Sequence, residues 1–281
     1  MKIQVHIRDA ASVAAKLLAF IEDGNDALSV IADFDHTLSR AFDDDGCPCG
    51  ITHGAFDNKE RLPEVVTRFA ELSATYGKYD MWDKISAGEL EPLLEEWWQQ
   101  SHQAILGARV SRDLLETLVK ECTVRLRDGA PFFFDSLESA GIPLVIFSAG
   151  IGNVISSFLM QHFGRIHANI DIISNTMLFD DNDEIVAFSE NILHSYNKSG
   201  SLIPKDAPLV SRKNIILIGD ALGDGIMADG IEGHNNDHTI KIGFSNKKQS
   251  LLSQYKEVFD IVIVDDQSLD VPNAIIKSIT K

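Results

Sequence analysis

The run Leu28-Ser29-Val30-Ile31-Ala32 ends in Asp33-Phe34-Asp35-His36-Thr37-Leu38-Ser39, and this junction constrains the fold more than any other segment. The uncharged run reads as a buried strand. Side chains two apart in an extended chain point the same way, so Asp33 and Asp35 reach one place beyond the strand's carboxyl end. Open α/β sheets bind their ligands there. Taken alone, an Asp-x-Asp pair also reads as a solvated strand end with a capping carboxylate.

Three distant segments bear on that choice. Val145-Ile146-Phe147-Ser148-Ala149-Gly150-Ile151-Gly152 reads as strand, turn and helix start. Free N–H groups in such a turn suit an anion beside Ser148, although Ser148 by itself also reads as an ordinary N-cap. Ile215-Ile216-Leu217-Ile218-Gly219-Asp220-Ala221-Leu222-Gly223-Asp224 is an apolar strand closed by one carboxylate, with a second four residues on. Such a pair suits a divalent cation with oxygen ligands. Lys198, after Asn197, falls between elements, where a lone lysine normally reads as a solvated loop charge.

The order Asp-x-Asp-x-Thr, Ser, Lys, Gly-Asp-x-x-x-Asp resembles the haloacid dehalogenase (HAD) superfamily of phosphohydrolases. Asp33 to Arg40, Cys47-Pro48, Thr52-His53-Gly54 and Phe56-Asp57-Asn58 resemble more closely the opening of the cytosolic 5′-nucleotidase III, or pyrimidine 5′-nucleotidase, family. Ser174-Asn175 to Phe188, His194, Asn197-Lys198, Gly219-Asp220, Gly223-Asp224 and Met227-Ala228-Asp229-Gly230 continue that pattern. The resemblance implies a Mg²⁺-dependent hydrolase that converts nucleoside 5′-monophosphates to nucleoside and phosphate through an aspartyl-phosphate. It assigns Asp33 as nucleophile and Asp35 as general acid/base, with Ser148, Ala149 and Lys198 on the phosphate. Mg²⁺ would be held by Asp33, the Asp35 backbone carbonyl and Asp220, with Asp224 beside it or acting through water.

Base recognition is implied for Asp80, Trp97, Trp98 and Gly54. Asp80 stands where relatives carry a glutamate, one methylene longer, and Gly54 where some carry Asn. Trp98 stands at a Tyr/Trp choice separating pyrimidine-preferring members from the 7-methylguanosine-monophosphate branch. Trp97 and Trp82 also read as packing residues, and His53 as structural. Ala221 replaces a small hydroxyl residue, which predicts a weaker metal site. A different small phosphate ester, phosphotransfer to a nucleoside acceptor, or a silent nucleotide-binding or partner-binding protein are the alternatives.

At 281 residues, 44% hydrophobic, the chain can bury a large core. The expected fold is α/β: a HAD-like Rossmannoid parallel sheet with helices on both faces and an inserted helical cap. The catalytic core would span 1–42 and 124–281, and the cap 43–123, where Arg61 to Ala74 and Leu90 to Leu106 show helical spacing. Met1 to Asn25 predicts an amphipathic helix or two. Three cysteines make no four-ligand zinc set and fit a reducing cytoplasm. No apolar stretch approaches the ~20 residues of a membrane span, and no signal-peptide pattern opens the chain. With a formal charge of −17 and no basic patch, duplex nucleic acid is not an expected partner. A monomer is expected.

Overall fold

The computed structural model describes residues 4–77, 87–246 and 249–280. Strand β2 (Leu28–Ala32) is fully buried and lies between β7 (Asn214–Gly219) and β3 (Leu144–Ile151), both parallel to it. Outward from β7 come β8 (Thr239–Ser245) and β9 (Ile261–Val264), also parallel, and beyond β3 lies β4 (Ile170–Asn175). The central strands β2, β3 and β7 are covered on both faces, which is why they read as largely apolar runs. Alternation sorts their side chains: Val30, Ala32, Ile146 and Ile216 enter one core, and Ile31, Val145, Phe147, Ile215 and Leu217 the other.

Helices α1 (Ala10–Asp23), α5 (Ala130–Ser139) and α8 (Asp270–Ile279) supply Val13, Phe20, Phe133, Phe134, Leu137, Ile275 and Ile276 to the first core. Helix α7 (Leu252–Val258) and Phe259 close the second, and α6 (Gly152–Phe163) follows β3. The N-terminus corrects an expectation. Instead of helix alone, Gln4–Ile7 forms β1, an antiparallel edge strand on β9, before α1 begins on an Asp9 cap. Its residues are mostly exposed and held by backbone pairing, so they leave no periodic apolar signal to read.

Between β2 and α5 stand α2 (Pro63–Tyr76), α3 (Ala87–Gly107) and α4 (Arg112–Glu121), matching the helical spacing there. Their apolar faces form a third cluster with Ile151 and Val154. A hairpin unforeseen from the sequence, β5 (Met177–Phe179) and β6 (Ile185–Phe188), adds Met177 and Ile185 to it. Backbone bonds from Ile185 to Val110 (3.1 Å) and from Arg112 to Asp183 (3.1 Å) seat the hairpin on these helices.

The chain leaves and re-enters the sheet along one seam. Arg40 N–H donates to Arg125 O (2.7 Å) and Arg127 N–H to Leu38 O (3.0 Å). Arg127, 1% exposed, pins the turn after Asp35 by donating to Thr37 O and His36 O (both 2.6 Å), Asn246 Oδ1 (3.1 Å) and Asp266 O, with its guanidinium 3.8 Å from the Phe244 ring centroid. Burial pulls this group down to about 9, against Asp220 and Asp266, so it stays charged at neutral pH. His36 holds a positive φ of 62°, which this clamp maintains. Removing the donor strands several buried carbonyls, so Arg127→Met should lower unfolding stability by about 3 kcal/mol or more, measured by urea denaturation.

Candidate active site

Parallel order brings three strand ends to one edge. Asp33 follows β2 directly, its N–H donating to Ile218 O (2.9 Å), so Asp33 and Asp220 stand side by side beyond β2 and β7. Carboxylate oxygens of Asp33, Asp220 and Asp224 lie within 4.8 Å of one another, and all three residues are buried. Among the described residues no other group of His, Cys, Asp or Glu is so arranged. The three cysteines are free, and among the described residues none joins a group of potential metal ligands.

Asp224 is anchored within its own turn: Oδ2 accepts from the N–H groups of Asp220 and Ala221 (both 2.9 Å). A Cβ at Gly219 would collide with that carboxylate, so the strand can end this way only with glycine. At Ala221 the backbone N–H engages Asp224 directly.

Lys198 is not a solvated loop charge. It is 2% exposed, donates to Asp33 Oδ1 (2.9 Å) and Phe147 O (3.3 Å), and pairs with Asp224 Oδ1. Its loop is built for the purpose. Buried Asn175 spans Ala149 O and Leu193 through Nδ2 and Oδ1, while Asn197 ties His194 N–H to Ile192 O. Burial alone would lower the ammonium, but Asp224 and Asp33 outweigh it and the net shift is upward. Burial pushes Asp33 up to about 8; Lys198 opposes this, and Asp224 and Asp220 add to it.

The carboxylate of Asp35 turns to a different partner. Thr52 donates its N–H to Oδ1 (2.8 Å) and its hydroxyl to Oδ2 (2.6 Å), and Thr52 Oγ1 accepts from Ile151 N–H (3.3 Å). Burial raises Asp35, and the Thr52 bonds work against that rise. Ser148 is within β3 and 1% exposed, and its Oγ accepts from Gly150 N–H (3.0 Å). The N-cap alternative therefore fails: β3 runs on to Ile151, whose side chain cannot cap α6. Ala149 is half-buried beside it. A Cβ at Gly150 would strike Thr52 Oγ1 and Asp35 Oδ2, so glycine is required where β3 passes the carboxylate.

Of the residues implied in base recognition, Asp80 lies outside the described residues, as does Trp82. Trp97 and Trp98 are half-buried on α3, and Gly54 sits in the turn Thr52–Phe56. Sequence reasoning gave no role to Thr52, Gly150, Asn175 or His102. Thr52 stands within a quoted motif, but its bond to Asp35 spans 17 residues and no local spacing announces it.

Residues 36–280 match the family model described as Pyrimidine 5'-nucleotidase (UMPH-1). A putative cytosolic 5'-nucleotidase 3 from Caenorhabditis elegans is 38% identical over 97% of this chain and 74% of its own length. A 7-methylguanosine phosphate-specific 5'-nucleotidase A from Xenopus laevis is 38% identical over 99% and 97%, and the Homo sapiens 7-methylguanosine phosphate-specific 5'-nucleotidase 34% identical over 99% and 93%. The crystal structure of cytosolic 5'-nucleotidase IIIB bound to cytidine superposes with a TM-score of 0.86 at 29% identity, covering 98% of this chain and 92% of that one. A substrate-bound phosphoserine phosphatase, at TM-score 0.54 and 17% identity, shares the fold. With the HAD-like sheet, its carboxylate edge and these relatives in agreement, the chain belongs to the pyrimidine 5'-nucleotidase family.

Proposed function

We propose that this chain is a magnesium-dependent 5′-nucleotidase that hydrolyses pyrimidine or 7-methylguanosine 5′-monophosphates to nucleoside and phosphate. The observation that carries it is the buried cluster of Asp33, Asp220, Asp224 and Lys198. Three carboxylates and one ammonium carry two negative charges when all are ionised, a balance that one divalent cation restores. Hard oxygen donors of this kind suit Mg²⁺. Asp33, Asp220 and the Asp35 backbone carbonyl would hold the ion, with Asp224 supporting. When bound, it offsets charge on the phosphoryl oxygens and keeps Asp33 ionised despite burial.

Asp33 then attacks phosphorus through a carboxylate oxygen as the bond to the nucleoside 5′-oxygen breaks, and protonated Asp35 gives its proton to that oxygen. In the second half, Asp35 takes a proton from water, the water oxygen attacks phosphorus, and the Asp33–phosphorus bond breaks. Phosphate leaves with both aspartates restored. Lys198 and the Ser148-Ala149 segment bind the phosphoryl oxygens, overriding locally the −17 charge that would repel an anion. Trp98 stacks the base, worth roughly 1–3 kcal/mol, and a cationic 7-methylguanine gains cation–π attraction. Relatives bearing 7-methylguanosine phosphate in their names, and one bound to cytidine, support both base classes.

Specificity we assign to the helices of 43–123 and core chemistry to 1–42 and 124–281. We further infer a monomer in the cytoplasm: three free thiols suit a reducing compartment, and strong net charge opposes self-association. No helix among the described residues is long and apolar enough to cross a membrane.

Asp33→Asn should lower phosphate release from CMP or 7-methyl-GMP by about 10⁴-fold with an unchanged circular dichroism spectrum; near-normal turnover rejects the covalent role. Asp220→Asn should raise the Mg²⁺ concentration for half-maximal activity by about 10–100-fold in a metal titration. For the acid, kcat/KM falls as pH rises through the Asp35 pKa. The Thr52 hydroxyl lowers that pKa, so Thr52→Val should move the basic limb to higher pH, and a limb that stays or moves down counts against Asp35.

A further inference from the structure

Four rings lie nearly parallel beside the active-site turn. His53 stacks on Trp98 with centroids 4.5 Å apart and planes 13° from parallel. His102 follows at 5.9 Å and 7°, and Phe188 of β6 ends the column on His102 at 3.9 Å and 7°. Trp98 and His102 are four residues apart on α3 and so share a face of that helix. His53 comes from the turn Thr52–Phe56, and its neighbour Thr52 holds the Asp35 carboxylate. One peptide step therefore joins the ring column to the reacting centre.

Two further observations describe the state of these rings. Trp98 Nε1, His53 Nε2 and His102 Nε2 are buried and have no hydrogen-bond partner among the described residues. Buried polar atoms left so cost about 1–3 kcal/mol each unless a ligand or water completes them. Burial also lowers His53 to about 3, with His102 adding, and lowers His102 to about 4. Both rings are neutral at physiological pH and stack as flat, uncharged plates.

We propose that His102 and His53 are positioning residues for base recognition: their stack fixes the plane of Trp98 and its distance from Asp35, so that the pocket accepts a planar base at one separation from the phosphate. The inference rests on the nucleotidase reading and names the residues that give it selectivity. Trp98 touches the base, and the histidines act through Trp98. Phe188 fastens the far end of the column, which makes the β5–β6 hairpin part of the base pocket's support.

The test compares CMP or 7-methyl-GMP with ribose 5-phosphate, which keeps the sugar and phosphate and lacks the base. His102→Ala should raise KM for the nucleotide about tenfold with kcat within about twofold, and leave kcat/KM for ribose 5-phosphate within about twofold. His102→Phe keeps a flat ring in the column and should restore the nucleotide KM. Because His102 acts through Trp98, adding His102→Ala to Trp98→Ala should raise KM no further. Equal losses on nucleotide and ribose 5-phosphate, failure of the Phe variant to rescue while remaining folded, or additive effects in the double variant would overturn the inference. A wild-type enzyme that does not favour the nucleotide over ribose 5-phosphate overturns the nucleotidase reading itself, and the inference with it.

Discussion

A single buried ammonium organises the catalytic edge. Lys198 is shared by Asp33 and Asp224, and without it three carboxylates would crowd a site almost closed to water. Removing one partner from such a cluster leaves uncompensated buried charge, a strongly destabilising change. The surrounding architecture answers that constraint. Gly219 lets Asp224 fold back under the strand end, Asn175 and Asn197 shape the loop that delivers Lys198, and the Tyr255 hydroxyl donates to Asp220 O. Under the proposed function stability and chemistry are coupled here, because the groups that offset one another in the resting protein are the ones a phosphate and a cation would rearrange.

The carboxylate at the end of β2 is treated differently from its neighbour two residues on. Asp33 faces the ammonium, whereas Asp35 is held by one threonine through both oxygens. Two carboxylates of the same type thus acquire separate environments, as the roles proposed for them in attack and proton transfer require. Gly150, within β3, leaves room for the Asp35 carboxylate, so an enlarged side chain there would disturb Thr52, Asp35 and Ser148 together.

Much of this was legible in the chain because buried parallel strands are written as uninterrupted apolar runs, and the residues that end them stand out. Leu28–Ala32 and Ile215–Ile218 identified the edge, and Asp33, Asp220 and Asp224 followed. Lys198 was visible only through resemblance, since burial of a lysine depends on partners 165 and 26 residues away. Gln4–Ile7 was misread because an exposed edge strand is held by backbone pairing, which composition does not reveal. The β5–β6 hairpin left a signal, an apolar triplet and an apolar quartet around an Asp/Asn-rich turn, but strands of three and four residues are too short for periodicity to register. The ring column escaped notice because parallel stacking joins residues from three separate segments.

The seam between Leu38–Arg40 and Arg125–Arg127 has a consequence for how such a chain can diversify. Where the chain departs from the sheet, it is already hydrogen-bonded to where it returns. Everything between is a loop whose ends are fastened before its length matters, and the entropy of closing a loop grows only slowly with length. Helices can thus be added, removed or exchanged between residues 57 and 123, beyond the turn whose Thr52 holds Asp35, without altering the register of β2 against β3 and β7. The sheet can keep its carboxylates in place while successive insertions change what is presented to them.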